Sequence, residues 1–277
     1  MTFLLLPALL LAPQAYDPET EAVMNRRARP QSVAPARPAL PIPPQVAAPF
    51  QACLDAAVEA PEAGVAAANR WRMEGGGYYA RQCLGFAYAR AERWGPATIS
   101  FEQAAEEAER AGAFVQSARL WAQAGNAALA GGDLAKAQAH FDAALARGLP
   151  DGLEKGEVHL DRARALVALG DGVGARQSLD VALEQAPQDP LAWLLSATLA
   201  RRSGELSLAQ AHIARAVQMS PDDASVALEE GNIAMLTDHA DVAAAAWARA
   251  MRLAPDAPAG KAAADNLTRL SARAKTP

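Results

Sequence analysis

Three stretches decide the fold: residues 175–187 read ARQSLDVALEQAP, residues 209–221 read AQAHIARAVQMSP, and residues 243–255 read AAAAWARAMRLAP. Each closes on a proline, and Pro187, Pro221 and Pro255 stand 34 residues apart. Eight places before each proline is a large apolar residue, Leu179, Ile213 or Trp247. Alanines flank it on both sides: Ala175, Ala209 and Ala243 four places earlier, Ala182, Ala216 and Ala250 three places later. Small, large, small at spacings of four and three is one face of a helix packed tightly on a neighbour, because residues three and four apart stack on one side of a helix.

Working outward, each stretch is preceded by a second segment of helical apolar spacing, at 160–169, 191–202 and 226–237, which stops at Gly170, Gly204 and Asp238. Asp189-Pro190 opens one unit as N-cap and first helical residue, and Asp223 caps the next. The unit is therefore helix, tight turn, helix. Composition agrees: 51% of residues are hydrophobic but only 5% aromatic, with alanine supplying most of the apolar content, and alanine loses least on entering a helix.

These units resemble the tetratricopeptide repeat, a 34-residue helix–turn–helix. With units at 156–189, 190–223 and 224–257, the middle one places Trp193, Ala197, Ala200, Ala209, Ile213, Ala216 and Pro221 on the pattern's marks. Upstream, 118–151 matches through Trp121, Gly125, Ala128, Ala137, Phe141 and Ala144, and 78–111 through Leu84, Gly85, Tyr88, Ala97, Phe101 and Ala104. Insertions at 112–117 and 152–155 are expected to lengthen loops. A degenerate unit is expected at 44–77, and a final helix at 259–272 to cover the last unit's apolar face. The resemblance implies an all-α, right-handed α-solenoid with a C-terminal capping helix. The expected divisions are degenerate repeats over 50–111, repeats over 118–257, and cap and tail over 258–277.

The first fifty residues read differently. An apolar run at 3–12 followed by small residues to Ala15 reads as a secretory signal over 1–15, which places the protein in the periplasm or outside the cell. Residues 16–49 carry eight prolines and read as a flexible tether. No other segment is long enough to span a bilayer. Two cysteines, Cys53 and Cys83, make a disulfide the natural reading of an exported chain, with two buried thiols as the alternative. In the repeat numbering both fall on first helices of adjacent units, which the resemblance places side by side.

A net charge of −5 and a pI near 5.5 exclude a whole-chain attraction to nucleic acid. His140, His159, His212 and His239 are scattered over the repeats and read as surface or interface residues, leaving no metal site. The glycines of 170–174 make a helix turn instead of a dinucleotide loop. Acidic pairs at Glu106-Glu107, Asp222-Asp223 and Glu229-Glu230 read as solvated helix faces and helix starts. No catalytic residue and no cofactor are expected, so the chain reads as a non-enzyme.

In the family the first helices line the concave face. Carrying its groove positions over gives Tyr79, Gln82, Phe86 and Arg90; Arg119 and Asn126; Glu157 and Arg164; Arg201 and Arg202; and Asn232. Five arginines stand there against one glutamate, which points to an extended peptide or acidic segment as ligand. The expected function is an adaptor of the cell envelope. A self-assembling structural protein, or an accessory subunit of an envelope enzyme complex, is the alternative.

Overall fold

A computed structural model of the chain describes residues 42–273. The signal expected at 1–15 and the tether up to residue 41 lie outside the described residues. Within them are thirteen helices joined by short turns: α1 Pro44–Glu59, α2 Pro61–Met73, α3 Gly77–Arg90, α4 Trp94–Arg110, α5 Phe114–Ala130, α6 Leu134–Ala146, α7 Leu153–Leu169, α8 Gly172–Gln185, α9 Pro190–Arg202, α10 Leu206–Met219, α11 Ala224–Leu236, α12 Ala240–Leu253 and α13 Pro258–Arg273. None is long and apolar enough to cross a membrane. The fold is an all-α helical repeat. The described residues fall into two compact units, one up to Leu199 and one from Ala200 onward.

In the first unit each helix from α1 to α8 packs on the next, and α1 also lies along α3. Hairpins α3–α4 and α5–α6 are locked by small residues facing rings. A Cβ added to Gly85 on α3 would lie 2.7 Å from the Phe101 ring on α4, and one on Gly125 of α5 would lie 2.6 Å from Phe141 on α6. Glycine is required there because the ring occupies the space of a side chain. Phe101, Trp121, Phe141 and Leu120 are buried with a background of alanines, so the core is built of thin contacts repeated many times.

The turn between the two helices is the same in every hairpin from α3–α4 to α11–α12, whereas α1 and α2 are joined through an extended Ala60. One residue takes the left-handed conformation, Glu92, Gly132, Gly170, Gly204 or Asp238, and its successor enters the next helix. At Asp133 and Asp171 that successor is an N-cap whose carboxylate accepts from Lys136 N and Gly174 N. Asp189 accepts from Leu191 N ahead of Pro190, and Asp223 from Ser225 N and Val226 N.

Three boundaries differ from the sequence expectation. Helix α5 begins at Phe114 and α7 at Leu153, so the insertions lengthen helices instead of loops. Each adds a first turn whose outward residues reach the neighbouring helix, as Glu154 does to Arg119. The expected tether ends earlier than Pro49, because α1 starts at Pro44 and holds Pro49 inside it. Pro44 at the first position is pre-set for helix, since its fixed φ fits and its missing N–H would be unpaired there anyway.

Hairpin α1–α2 is the most thinly packed part of the first unit. Its buried residues are Phe50, Cys53, Ala57, Gly64 and Ala68. A disulfide joins Cys53 on α1 to Cys83 on α3, with both cysteines buried and their Cα atoms 6.3 Å apart. Around it, Phe50 meets Trp71 and Tyr79 at ring separations of 6.3 and 5.7 Å.

In the second unit, α11 is the central helix, packed on α10, α12 and α13. Trp247 of α12 docks over Gly231 of α11, where a Cβ would collide with the indole. Its Nε1 donates to Asn232 Oδ1 at 3.0 Å, and Asn266 Nδ2 of α13 donates to the same oxygen at 3.1 Å. Asn232 in turn donates to Glu229 at 3.3 Å, and Glu229 accepts from Arg201 Nε at 2.7 Å. Glu229, read from sequence as solvated, is 1% exposed. Its helix face turns inward because α11 is covered on several sides.

Two outcomes follow. Replacing both Cys53 and Cys83 with serine removes a cross-link closing a loop of 30 residues, worth about 3–4 kcal/mol in the chain-entropy account. Amide exchange in α1 and α2 should quicken by about 100-fold or more, with α11 and α12 unchanged. Glu229→Ala strands a guanidinium in a nearly buried site and should cost roughly 3–5 kcal/mol in urea titration, whereas a surface loss such as Glu106→Ala should cost under about 0.5 kcal/mol.

Candidate functional site

The first helices α3, α5 and α7 of the first unit carry eight of the eleven residues expected to meet a partner. On α3, Tyr79, Gln82 and Phe86 fall at spacings of three and four and share one face. Tyr79 is half-buried beside Phe50 and Tyr78, and burial, helped by the hydrogen bond with Tyr78, pushes its hydroxyl pKa up to about 12. It is a neutral donor and acceptor across the physiological range. Phe86 is half-buried on the core of α4 to α6, with the rest of its ring uncovered. Arg90 is exposed at the end of α3.

Gln82 is the centre of a ladder of side-chain amides. Gln116 Nε2 of α5 donates to Gln82 Oε1 at 3.2 Å, and Gln82 Nε2 donates to Gln123 Oε1 at 3.3 Å. Gln116 and Gln123 are seven residues apart, two turns along one face of α5. Asn126, the next residue along that face, is exposed. Sequence reasoning missed Gln116 because it lay in a stretch assigned to a loop. The signal was present: the apolar spacing of α5 runs back to Phe114.

The arginines are engaged by carboxylates of the chain itself. Arg119 on α5 makes a two-pronged contact with Glu154 on α7, 2.9 Å from Nε and 2.7 Å from Nη2. This is the strong geometry of a guanidinium on a carboxylate, and both side chains are largely covered. Arg164 on α7 pairs with Asp161 one turn away at 3.0 Å. Glu157 lies between Glu154 and Asp161 on the same helix. Of the arginines on this face only Arg90 is exposed.

The other three expected residues belong to the second unit. Arg202 is exposed at the end of α9. Arg201 is bound to buried Glu229, and Asn232 is 6% exposed with its oxygen and nitrogen both in the Trp247–Asn266–Glu229 network. These two build the fold there and offer little to a ligand.

The histidines divide by burial. His140, read from the sequence as a surface or interface residue, is buried and stacked on Trp121 with ring centroids 5.2 Å apart, while Arg147 lies over the same indole. Burial pulls its imidazole below the ordinary 6.5, against the attraction of Glu102 and Asp133 and with the repulsion of Lys136. His159 is likewise lowered, by burial and then by Arg162 and Lys155. Among the described residues no three His, Cys, Asp or Glu side chains are grouped to hold a metal ion.

A family model described as tetratricopeptide repeat matches residues 122–190 and 194–258. The solved structure of PilW, a widely conserved type IV pilus biogenesis factor, is 18% identical with a TM-score of 0.65 over 79% of this chain and 98% of that one. PilF of Pseudomonas aeruginosa is 15% identical with a TM-score of 0.63 over 78% and 97%. YrrB, a TPR protein with an unusual peptide-binding site, is 19% identical with a TM-score of 0.52 over 67% and 91%. No curated protein sequence matches the chain. At these identities the likeness is one of fold, and hairpins α1–α2 and α3–α4, outside the family match, repeat the same helix–turn–helix form.

The shifted histidines have a consequence for stability. The unfolded chain takes up a proton on His140 near pH 6.5, and the folded chain only at lower pH, so the unfolded state binds more protons in between. Stability is full above about pH 6.5 and declines as pH falls through the folded value. Urea midpoints at pH 8, 6.5 and 5 should show this decline, and His140→Phe should flatten it.

Proposed function

The chain is a tetratricopeptide-repeat protein, and from that premise we propose that it is a non-enzymatic scaffold that holds a polypeptide segment against the first helices α3, α5 and α7. The observation that carries this is the face itself. Side-chain amides at Gln82, Gln116, Gln123 and Asn126 lie beside the aromatic surfaces of Tyr79 and Phe86, which is the mixture of hydrogen-bonding groups and rigid apolar area that peptide recognition uses. Helices present it, so its geometry is set before a ligand arrives.

The same proposal places the protein in the cell envelope. The apolar run at 3–12 supports export, and so does the Cys53–Cys83 disulfide, a bond that persists in oxidising compartments. Self-assembly through the ends of the array has less support. The outward face of α13 carries Lys261, Asp265, Thr268 and Arg269, all exposed, so it offers a second copy little apolar area.

The test is capture from an envelope extract with the full chain, run beside two variants. Gln123→Arg with Asn126→Arg alters the first-helix face; Ala139→Arg alters an exposed position of a second helix, α6. A partner retained by the chain and by the α6 variant, but lost at least about 10-fold by the face variant, is the expected result. Equal capture by all three would move binding off this face. Osmotic-shock fractionation should release the protein with the periplasmic markers or find it in the medium.

A further inference from the structure

The face of α3, α5 and α7 is charge-balanced by its own residues. Arg119 is closed by Glu154 and Arg164 by Asp161, and in the count of charges Glu157 of α7 offsets Arg90 of α3. An incoming carboxylate would have to displace Glu154 from a two-pronged pair, and would gain only the difference between one such pair and another. Three of the five arginines at the groove positions, Arg119, Arg164 and Arg201, are therefore engaged inside the protein.

The amides are not spent. Gln116 donates to Gln82 and Gln82 donates to Gln123, so the ladder runs from the acceptor Gln116 Oε1 at one end to the donor group Gln123 Nε2 at the other, neither used within it. A primary amide has the hydrogen-bonding character of a peptide group, and a backbone N–H with a neighbouring C=O complements those two ends. Within such a chain each bond polarises the next, so the terminal groups bind more strongly than isolated amides would. Tyr79 and Phe86 flank Gln82 on α3 and supply an uncharged surface for side chains that alternate along an extended strand. Helix axes side by side are about 8–10 Å apart, so a strand crossing from α3 to α7 spans about 20 Å, or about six residues.

Resting on the peptide-binding reading above, we infer that the ligand is an uncharged, extended polypeptide segment recognised through its backbone by the Gln116–Gln82–Gln123 ladder, and not an acidic one. Its selectivity comes from what the face refuses: a charged side chain laid on Tyr79 and Phe86 would be desolvated, while Arg119 and Arg164 are already held by Glu154 and Asp161.

A displayed library of random twelve-residue peptides, selected on the immobilised full chain, tests this. The expected outcome is enrichment of peptides without Asp, Glu, Lys or Arg in the central six positions, with affinities that change less than about 2-fold between 50 and 500 mM salt. Gln116→Leu with Gln123→Leu should weaken the enriched peptides about 10-fold, the worth of two ordinary hydrogen bonds. Glu154→Gln should loosen the hold on Arg119 and shift the selection toward acidic peptides. Enrichment of acidic peptides on the unaltered chain, lost in the double glutamine variant, would overturn the uncharged ligand while leaving the face as the binding surface. Enrichment untouched by that variant, or no enrichment, would overturn the ladder; in the first case it would also move binding off this face.

Discussion

The constraint on which the structure rests is the close approach of two helices at a position that has no side chain. At Gly85, Gly125 and Gly231 the first helix of a hairpin comes so near an aromatic residue of the second, Phe101, Phe141 or Trp247, that a single carbon would collide. The ring then fills the interhelical space alone, and alanines around it let the backbones stay close. Each hairpin is thin, so none buries enough apolar surface to stand alone; stacking supplies the remainder. That is why alanine makes up so much of the core, and why charged side chains, mainly arginine, fill the remaining work of holding neighbours in register.

Those braces have a consequence for function. Arg81 reaches Glu107 and Gln103 across one hairpin, Arg147 reaches Glu109 from α6 to α4, and Arg162 reaches Asp142 and Ser178 on two further helices. The same device extends onto the candidate binding face as Arg119–Glu154. Arginine suits it because its planar fork can bond two groups at once while its stem covers apolar surface. A face that resembles an acid-binding groove when only its marked positions are counted becomes neutral once the partners arriving from the next helix are included. What then remains for a ligand is amide and aromatic surface.

The two cysteines and the C-terminal helix meet the problem every open array has, an end with no neighbour. At the start, the hairpin α1–α2 has a small apolar core and is tied to α3 covalently. At the finish, α13 covers α12 and α11 and adds Asn266 to the buried network around Asn232, leaving a polar outer surface. A buried glutamate, two asparagines and a tryptophan N–H bonded to one another specify how the last helices pack, since any other packing would leave a charge or an amide unpaired.

By itself the sequence determined the repeat, its period, the helix–turn–helix unit and the capped starts at Asp189 and Asp223, because these depend on residues a few places apart along one chain. The stops of the first helices at Gly170, Gly204 and Asp238 were legible for the same reason, though not the left-handed backbone found there. The tertiary structure alone decided whether an arginine is available. Arg119 is neutralised by Glu154, 35 residues away, through a helix turn that had looked like a loop, and Arg201 by Glu229, 28 residues away, on a helix face that had looked solvated. The amide ladder is of the same kind, joining Gln82 to Gln116 and Gln123 across two helices. Local spacing dictates which way a side chain points along its own helix, but its partner is chosen by the neighbouring helix, and no periodicity within one helix carries that information.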